Sequence, residues 1–264
     1  MLTLTHASFA TIEELFRYKA EGFALAPFPG YTPDQWGIKA HNRPWIVDTG
    51  EFTEGQRVLE IGGAYSLLLE HLALNCGVES WVVDDFGTKS DELFWARWSD
   101  PHEYADQHPS IRYVFERLGD EGSTLPENHF HRIISVSTLE HVPEADRTAV
   151  LTQAHQLLSP GGLELHTIDI AVERPARVIV DGVLDWLTPL WLQDLRFSTE
   201  VRRWIAHIAK SGVKIAANIP NSLALLDRRT LVESPDVVFR FYPPNDAPKE
   251  YHPSASLLLV IQDL

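Results

Sequence analysis

The apolar positions along this chain follow two periods. Short runs of consecutive apolar residues, bounded by glycine or polar residues, alternate with stretches where apolar positions recur every three to four residues. Runs of the first kind at 57–61 (RVLEI), 81–83, 111–115, 132–137 (RIISVS) and 163–168 predict five buried strands of a parallel sheet. Residues 66–75 (SLLLEHLALN) and 144–158 carry the helical spacing; Gly77 stands at the C-cap of the first, and the Ser-Pro-Gly-Gly run from Ser159 stops the second. A further helix is expected over 198–210, with Ser198 as N-cap and Gly212 closing it, and strands over 213–217 and 257–261 complete a set of seven. Alternation at this interval predicts an α/β fold: a doubly wound, mostly parallel sheet with helices on both faces.

Outside that pattern lie an N-terminal segment and two late insertions. Thr11 and Glu14 make a capping box at the start of a helix that runs to about Glu21. The stretch 22–45, rich in proline, glycine and aromatics, reads as an ordered loop or lid. The expected organisation is therefore a helix with an aromatic attachment over 1–54, then a ligand-binding domain over 55–264 with insertions at 170–197 and 220–255. Loops of that length are commonly functional.

Composition narrows the partners. At 264 residues, 44% hydrophobic and 22% charged, the chain suits one sizeable globular α/β domain with additions. No apolar run reaches the roughly 18–20 residues of a membrane span, and the first residues lack the basic and apolar regions of a secretory signal. Cys76, the single cysteine, excludes an intramolecular disulfide and cysteine-based zinc sites, so no metal and a reducing, cytoplasmic setting are expected. With 22 Lys and Arg against 37 Asp and Glu, the net charge of −15 repels phosphate backbones, which argues against nucleic acid and for a small-molecule partner.

In an open α/β sheet, ligands sit beyond the carboxyl ends of the strands. Glu60, Gly62, Gly63, Ala64 and Ser66 lie between the first predicted strand and its helix, where small residues let the backbone turn and approach a ligand. Asp84 and Asp85 end the second strand, where a carboxylate can accept both hydroxyls of a ribose. Beyond the third strand, Asp120 could accept from an adenine amino group, and Glu116 competes for that role.

The segments VLEIGG (58–63), VVDDF (82–86), GD (119–120), LPENHFHRIISVSTLEHV (125–142) and LLSPGGLELH (157–166) together resemble the successive motifs of class I S-adenosylmethionine (SAM)-dependent methyltransferases. The resemblance spans about residues 55–168 and is nearest the broad group with L-E-H-V after the fourth strand. It implies a Rossmann-like fold, SAM as cofactor and S-adenosylhomocysteine (SAH) as product. It places Glu60 and Gly62 in the cofactor loop, Asp84 or Asp85 at the ribose, Asp120 at the adenine and Ser137 near the methionine portion. Departures from the family pattern are Ala64 and Ser66, which replace the last two loop glycines, and His131, which replaces an aspartate.

Methyl transfer is an in-line displacement, and an alcohol acceptor must also lose a proton, commonly to a histidine. His141, in L-E-H-V, is one candidate base; His166, with Asp169 as its orienter, is the other, and Glu140 ranks below both. An H-x-I-D stretch followed by a long insertion is faintly similar to bacterial methyltransferases of polysaccharide or secondary-product pathways, which implies O-methylation of a polar metabolite or sugar. Tyr31, Trp36, Trp45, Trp186 and Trp191 either roof the acceptor pocket or form ordinary packing or a homodimer contact. The rival readings are a nicotinamide-dependent oxidoreductase and a catalytically silent SAM-binding scaffold.

Overall fold

Consecutive apolar residues become strands here because each strand feeds two cores at once. Successive side chains point to opposite faces: Leu59, Ile61, Ile133, Leu257, Leu259 and Ile261 pack in one core, Val58, Ile134, Leu258 and Val260 in the other. The structure, a computed structural model, describes residues 1–26, 28–30, 37–86, 100–171, 200–221, 224, 227–233 and 254–264. In chain order its elements are β1 (Leu2–Phe9), α1 (Ile12–Ala20), α2 (Ile38–Gly50), β2 (Arg57–Ile61), α3 (Leu68–Cys76), β3 (Glu79–Val83) and α4 (Pro101–Gln107). There follow β4 (Ile111–Val114), β5 (Phe130–Val136), a 3-10 turn (Leu139–His141), α5 (Arg147–Leu157), β6 (Leu158–Ala171), α6 (Glu200–Lys210), β7 (Lys214–Ile215), β8 (Val232–Glu233) and β9 (Ser254–Asp263).

The sheet order is β4-β3-β2-β5-β6-β9-β1-β7, with β8 on β9. Strands β4 to β6 along this path are parallel, whereas β9 runs antiparallel to both β6 and β1. The expected Rossmann-like, mostly parallel sheet is present, with nine described strands where seven were anticipated. The chain winds outward from β2 through β3 to β4, then returns to place β5 on the other side of β2. The order therefore reverses between β2 and β5, the place where ligands bind in this architecture.

One face carries α5 and α6, whose Val150, Leu151, Ala154, Leu157, Trp204 and Ile208 share a core with Leu59 and Ile133. The other carries α1 to α3, with Leu15, Tyr18, Ile38, Ile46, Leu68 and Leu72 against Val58 and Leu165. Thr11 caps α1 as a full capping box with Glu14, as expected, and Gly77 closes α3 in the left-handed conformation at φ 69. The Ser-Pro-Gly-Gly run ends α5 but opens β6 directly, at the cost of a register shift between Phe130 and Arg132 on the neighbouring strand.

Three elements depart from the sequence expectation. The N-terminal segment supplies β1, paired with β9 from Leu2 to Phe9 and so part of the sheet itself. The loop expected over 22–45 is helical from Ile38, where α2 begins, and the chain forms this helix despite Pro44 inside it. A proline removes one intrahelical hydrogen bond, and the burial of Ile38, Trp45 and Ile46 offsets that loss. Helix α4 lies in a connection that showed no helical period.

Candidate active site

Glu60 is the last even-numbered residue of β2 and so faces α2, as Val58 does. Its side chain is almost fully buried, and Oε2 has no hydrogen-bond partner among the described residues. Burial pushes the carboxyl up to about 7, while the charge of Arg43 and a hydrogen bond with Ser66 pull the other way. Ser66 Oγ also accepts from Leu68 N at 3.2 Å, so the hydroxyl at a family glycine position ties the loop to α3.

Gly62 turns left-handed at φ 67, and a Cβ there would stand 1.9 Å from Thr138 Cγ2. Only glycine lets the loops after β2 and β5 meet this closely. Gly63 is nearly as confined: a Cβ would lie 3.0 Å from the Glu60 carboxyl. Ala64, fully buried, takes φ 38, a conformation that costs a non-glycine residue about 1–2 kcal/mol. Phe86 after β3 and Ser137 after β5 are left-handed as well, both at φ 50. Three of the five non-glycine left-handed residues among those described thus collect at adjacent strand ends, where strained backbone commonly marks a functional site.

Asp84 accepts from Phe86 N at 2.6 Å through Oδ1. Burial raises its carboxyl to about 7; the Phe86 amide lowers it, the neighbouring Asp85 raises it, and the Ala64 amide lowers it. Asp84 thus joins the loop after β3 to the loop after β2. Asp85 and Asp120 line a cleft of about 260 Å³ at the β4 edge, together with Phe115, Arg117 and Ser123. Glu116 lines the same cleft, and its carboxylate accepts from the Ser123 hydroxyl and from Thr124 N and Oγ1, pinning the 116–124 turn.

Helix α2 presents Lys39, Asn42 and Arg43, spaced i, i+3 and i+4 and so on one side of the helix, to three strand ends. Lys39 Nζ donates to Asp169 Oδ2 at 3.0 Å, at the end of β6. Asn42 Nδ2 donates to Ser137 Oγ at 3.3 Å, after β5, and Ser137 Oγ in turn donates to Asp169 Oδ1 at 3.0 Å. Arg43 is the cation that acts on Glu60 at the end of β2. Sequence reasoning missed this helix wall, because HNRPW reads as loop text; the i, i+3, i+4 polar spacing was its only signal. The same turn of chain buries Trp45 at 4% exposure among Leu15 and Ile46, so Trp45 neither roofs a pocket nor offers a dimer contact. Tyr31, Trp36, Trp186, Trp191 and Ser198 lie outside the described residues.

The histidines separate. His166 is fully buried on the α5 side: Nδ1 pairs with Ser135 Oγ at 2.9 Å and Nε2 with Glu164 Oε2 at 3.2 Å. Glu164 also meets His155 Nδ1 at 2.8 Å. Burial alone would raise Glu164, but the charge and hydrogen bonds of His155, with those of His166, outweigh it and hold the carboxyl down to about 2. The proposed base with its orienter is therefore corrected: His166 and Asp169 are three residues apart on one strand and project from opposite faces, and His166 serves a buried ionic cluster. His141 ends the 3-10 turn on the exposed side, its N–H donating to Thr138 O at 3.0 Å, while the preceding Glu140 turns its carboxyl inward.

His131 has a clear structural part: its Nδ1 accepts from Arg57 N at 3.0 Å, holding the start of β2. Burial and the charges of Arg57 and Arg132 depress its pKa, keeping the ring neutral and that nitrogen an acceptor. An imidazole thus does there what the family's carboxylate can do. Among the described residues no group of side chains could hold a metal ion, and no helix is long and apolar enough to cross a membrane.

Reversed strand order beside a glycine-pinned loop, with carboxylates at the end of β3 and in the turn beyond β4, is the arrangement of a nucleoside-cofactor site in a doubly wound sheet. The chain belongs to the methyltransferase-domain family, whose profile matches residues 39–209. A methyltransferase domain sets the nicotinamide oxidoreductase aside. Among curated proteins, none matches the sequence. Among solved structures, it is similar to geranyl diphosphate C-methyltransferase from Streptomyces coelicolor A3(2), crystallised with Mg2+, geranyl diphosphate and SAH. The two share 10% identity over 86% of this chain and 80% of that one, with a TM-score of 0.50. A phosphoethanolamine N-methyltransferase of Haemonchus contortus shares 12% identity over 94% of this chain and 56% of its own, with a TM-score of 0.46. At these identities the likeness is one of fold.

Proposed function

We propose that this methyltransferase transfers the methyl group to a hydroxyl of a polar small molecule, such as a hydroxylated metabolite or sugar. When bound, SAM supplies an electrophilic methyl on a good leaving group, so the chain's part is to position the acceptor and take its proton. In this reading Glu60, Gly62, Gly63 and Ala64 shape the cofactor loop, Asp84 and Asp85 face the ribose, Asp120 the adenine and Ser137 the methionine end. Helix α2 forms a wall of the acceptor site, and the sheet, to which the N-terminal segment contributes β1, carries the cofactor. The unpartnered Oε2 of the buried Glu60 supports the fit, since a cofactor amine or hydroxyl would satisfy it. A net charge of −15 and a single cysteine fit a small-molecule enzyme of the reducing cytoplasm rather than one acting on nucleic acid.

The observation that carries the acceptor reading is the polar group of Lys39, Ser137 and Asp169 at the carboxyl ends of β5 and β6, positions that could have been apolar. Release of SAH from SAM in the presence of polyols, sugars, phenols and amines tests it. Turnover with hydroxyl acceptors supports the reading; turnover confined to amines or carbon nucleophiles overturns it. With a working acceptor, His141→Ala is expected to leave SAM affinity and turnover nearly unchanged, since the ring lies on the exposed side of the turn; a several-fold loss of turnover would return the base to His141.

The carboxyl at 84 adds a pH dependence. Ribose hydroxyls donate best to an ionised carboxylate, and Asp84 without ligand holds its proton up to about 7. Cofactor affinity should therefore rise with pH through about 7. The sign for folding is opposite: the native protein binds protons at Glu60 and Asp84 that the unfolded chain has released, so stability from these groups is lost as pH rises toward 7. The thermal stabilisation by SAH should be larger at pH 8 than at pH 6; an equal shift would take Asp84 out of the ribose contact.

A further inference from the structure

Glu140 is the one carboxyl among the described residues that is buried with neither oxygen hydrogen-bonded to a side chain. Burying a carboxyl with so few partners is costly, and the fold does it at the carboxyl ends of β5 and β6. Burial holds this carboxyl well above its usual range; the adjacent charge of Asp169 raises it further, and Lys39 and the backbone amides of Glu140 and Asp169 offset part of that. Asp169 itself is held in place by Lys39 at 3.0 Å and Ser137 at 3.0 Å, and its side chain remains 19% exposed. A buried carboxyl thus sits behind a reachable one, and the 3-10 turn that points Glu140 inward makes the arrangement.

We propose that Glu140 and Asp169 form the subsite for the acceptor's reacting hydroxyl, binding it beside the transferable methyl and taking its proton. The inference rests on the methyltransferase site described above and assigns the proton-accepting role that His141 and His166 were first expected to fill. As the acceptor oxygen forms its bond to the methyl carbon, the carbon–sulfur bond breaks, sulfur keeps the electron pair and the hydroxyl proton passes to the carboxylate pair. Before the step the pair carries one proton and one negative charge, balanced by Lys39; afterwards it carries two protons. Ser137 and Lys39 are positioning residues, because they hold Asp169 rather than the acceptor.

The test needs no knowledge of the acceptor. Sinefungin carries an ammonium group where SAM carries its methylsulfonium, so its charge samples the position this pair should face. By calorimetry, the wild-type protein should bind sinefungin about tenfold more tightly than SAH. Glu140→Gln and Asp169→Asn should each bring the ratio near one while leaving SAH affinity in place. In the wild type alone, titrations in buffers of different ionisation enthalpy should show about one more proton released with sinefungin than with SAH, as the cation drives the proton off the pair. That second measurement decides the matter if either variant fails to fold. Equal affinity and equal proton release in the wild type, or a preference that survives both substitutions, overturns the proposal while the cofactor site stands. Failure of the wild type to bind either compound overturns the site reading itself and the subsite with it.

Discussion

Gly62→Ala is expected to destabilise the protein by about 3 kcal/mol and to abolish cofactor binding in whatever folded fraction remains. Two costs add. An L-residue at φ 67 carries the left-handed penalty, and the new Cβ would stand 1.9 Å from Thr138 Cγ2. The neighbour cannot yield cheaply, because Thr138 Oγ1 donates to Gly62 O at 3.3 Å and closes the gap between the loops after β2 and β5. Thr138→Ser in the Gly62→Ala background removes the clashing methyl and keeps the hydroxyl, so it should restore about 1 kcal/mol. Chemical denaturation of the four proteins of this cycle measures both effects. A Gly62→Ala protein within 0.5 kcal/mol of wild type by this measurement, and normal in SAH binding, would show that the close approach is not what shapes the crevice.

Asp84→Ala combined with Asp85→Ala should weaken SAM binding at least tenfold, through loss of two ribose hydrogen bonds worth roughly 1–3 kcal/mol together. The single substitutions should differ in kind. Asp84 accepts from the Phe86 amide and acts on the Ala64 amide, so its loss also loosens the join between two loops and should lower the melting temperature of the free protein. Asp85 lines the cleft with Asp120, so its loss should lower affinity with little change in stability. Because the ribose is shared, 5′-methylthioadenosine should lose as much affinity as SAM. A folded double variant with wild-type affinity would remove both residues from the site.

The parallel half of the sheet was legible because buried parallel strands are written as unbroken apolar runs: RVLEI and RIISVS admit little else once glycines and turn residues bound them. The strand-end residues followed from topology, so Glu60, Asp84 and Ser137 could be placed without coordinates. β1 was not legible as a strand because LTLTHASF pairs with β9 in a mixed burial pattern, with Thr5 and His6 outside the core. Helix α2 was hidden by Pro44 and by three consecutive buried polar residues, His41, Asn42 and Arg43, which the pattern gives to solvent; His41 pairs instead with Glu14 and Asn42 with Ser137. The separation of His166 from Asp169 was available in principle, since three residues along a strand is half a period out. The inversion of Glu140 and His141 was not, because a single 3-10 turn has no pattern long enough to fix its phase.

A crystal structure with SAH bound tests the central claim most directly. The account places the ligand across the ends of β2, β3 and β5, with the ribose at Asp84 and Asp85, the adenine towards Asp120 and the thioether opening onto Asp169 and Glu140. Density for SAH at another surface, or a crevice after Ile61 filled by the protein's own side chains, would contradict it.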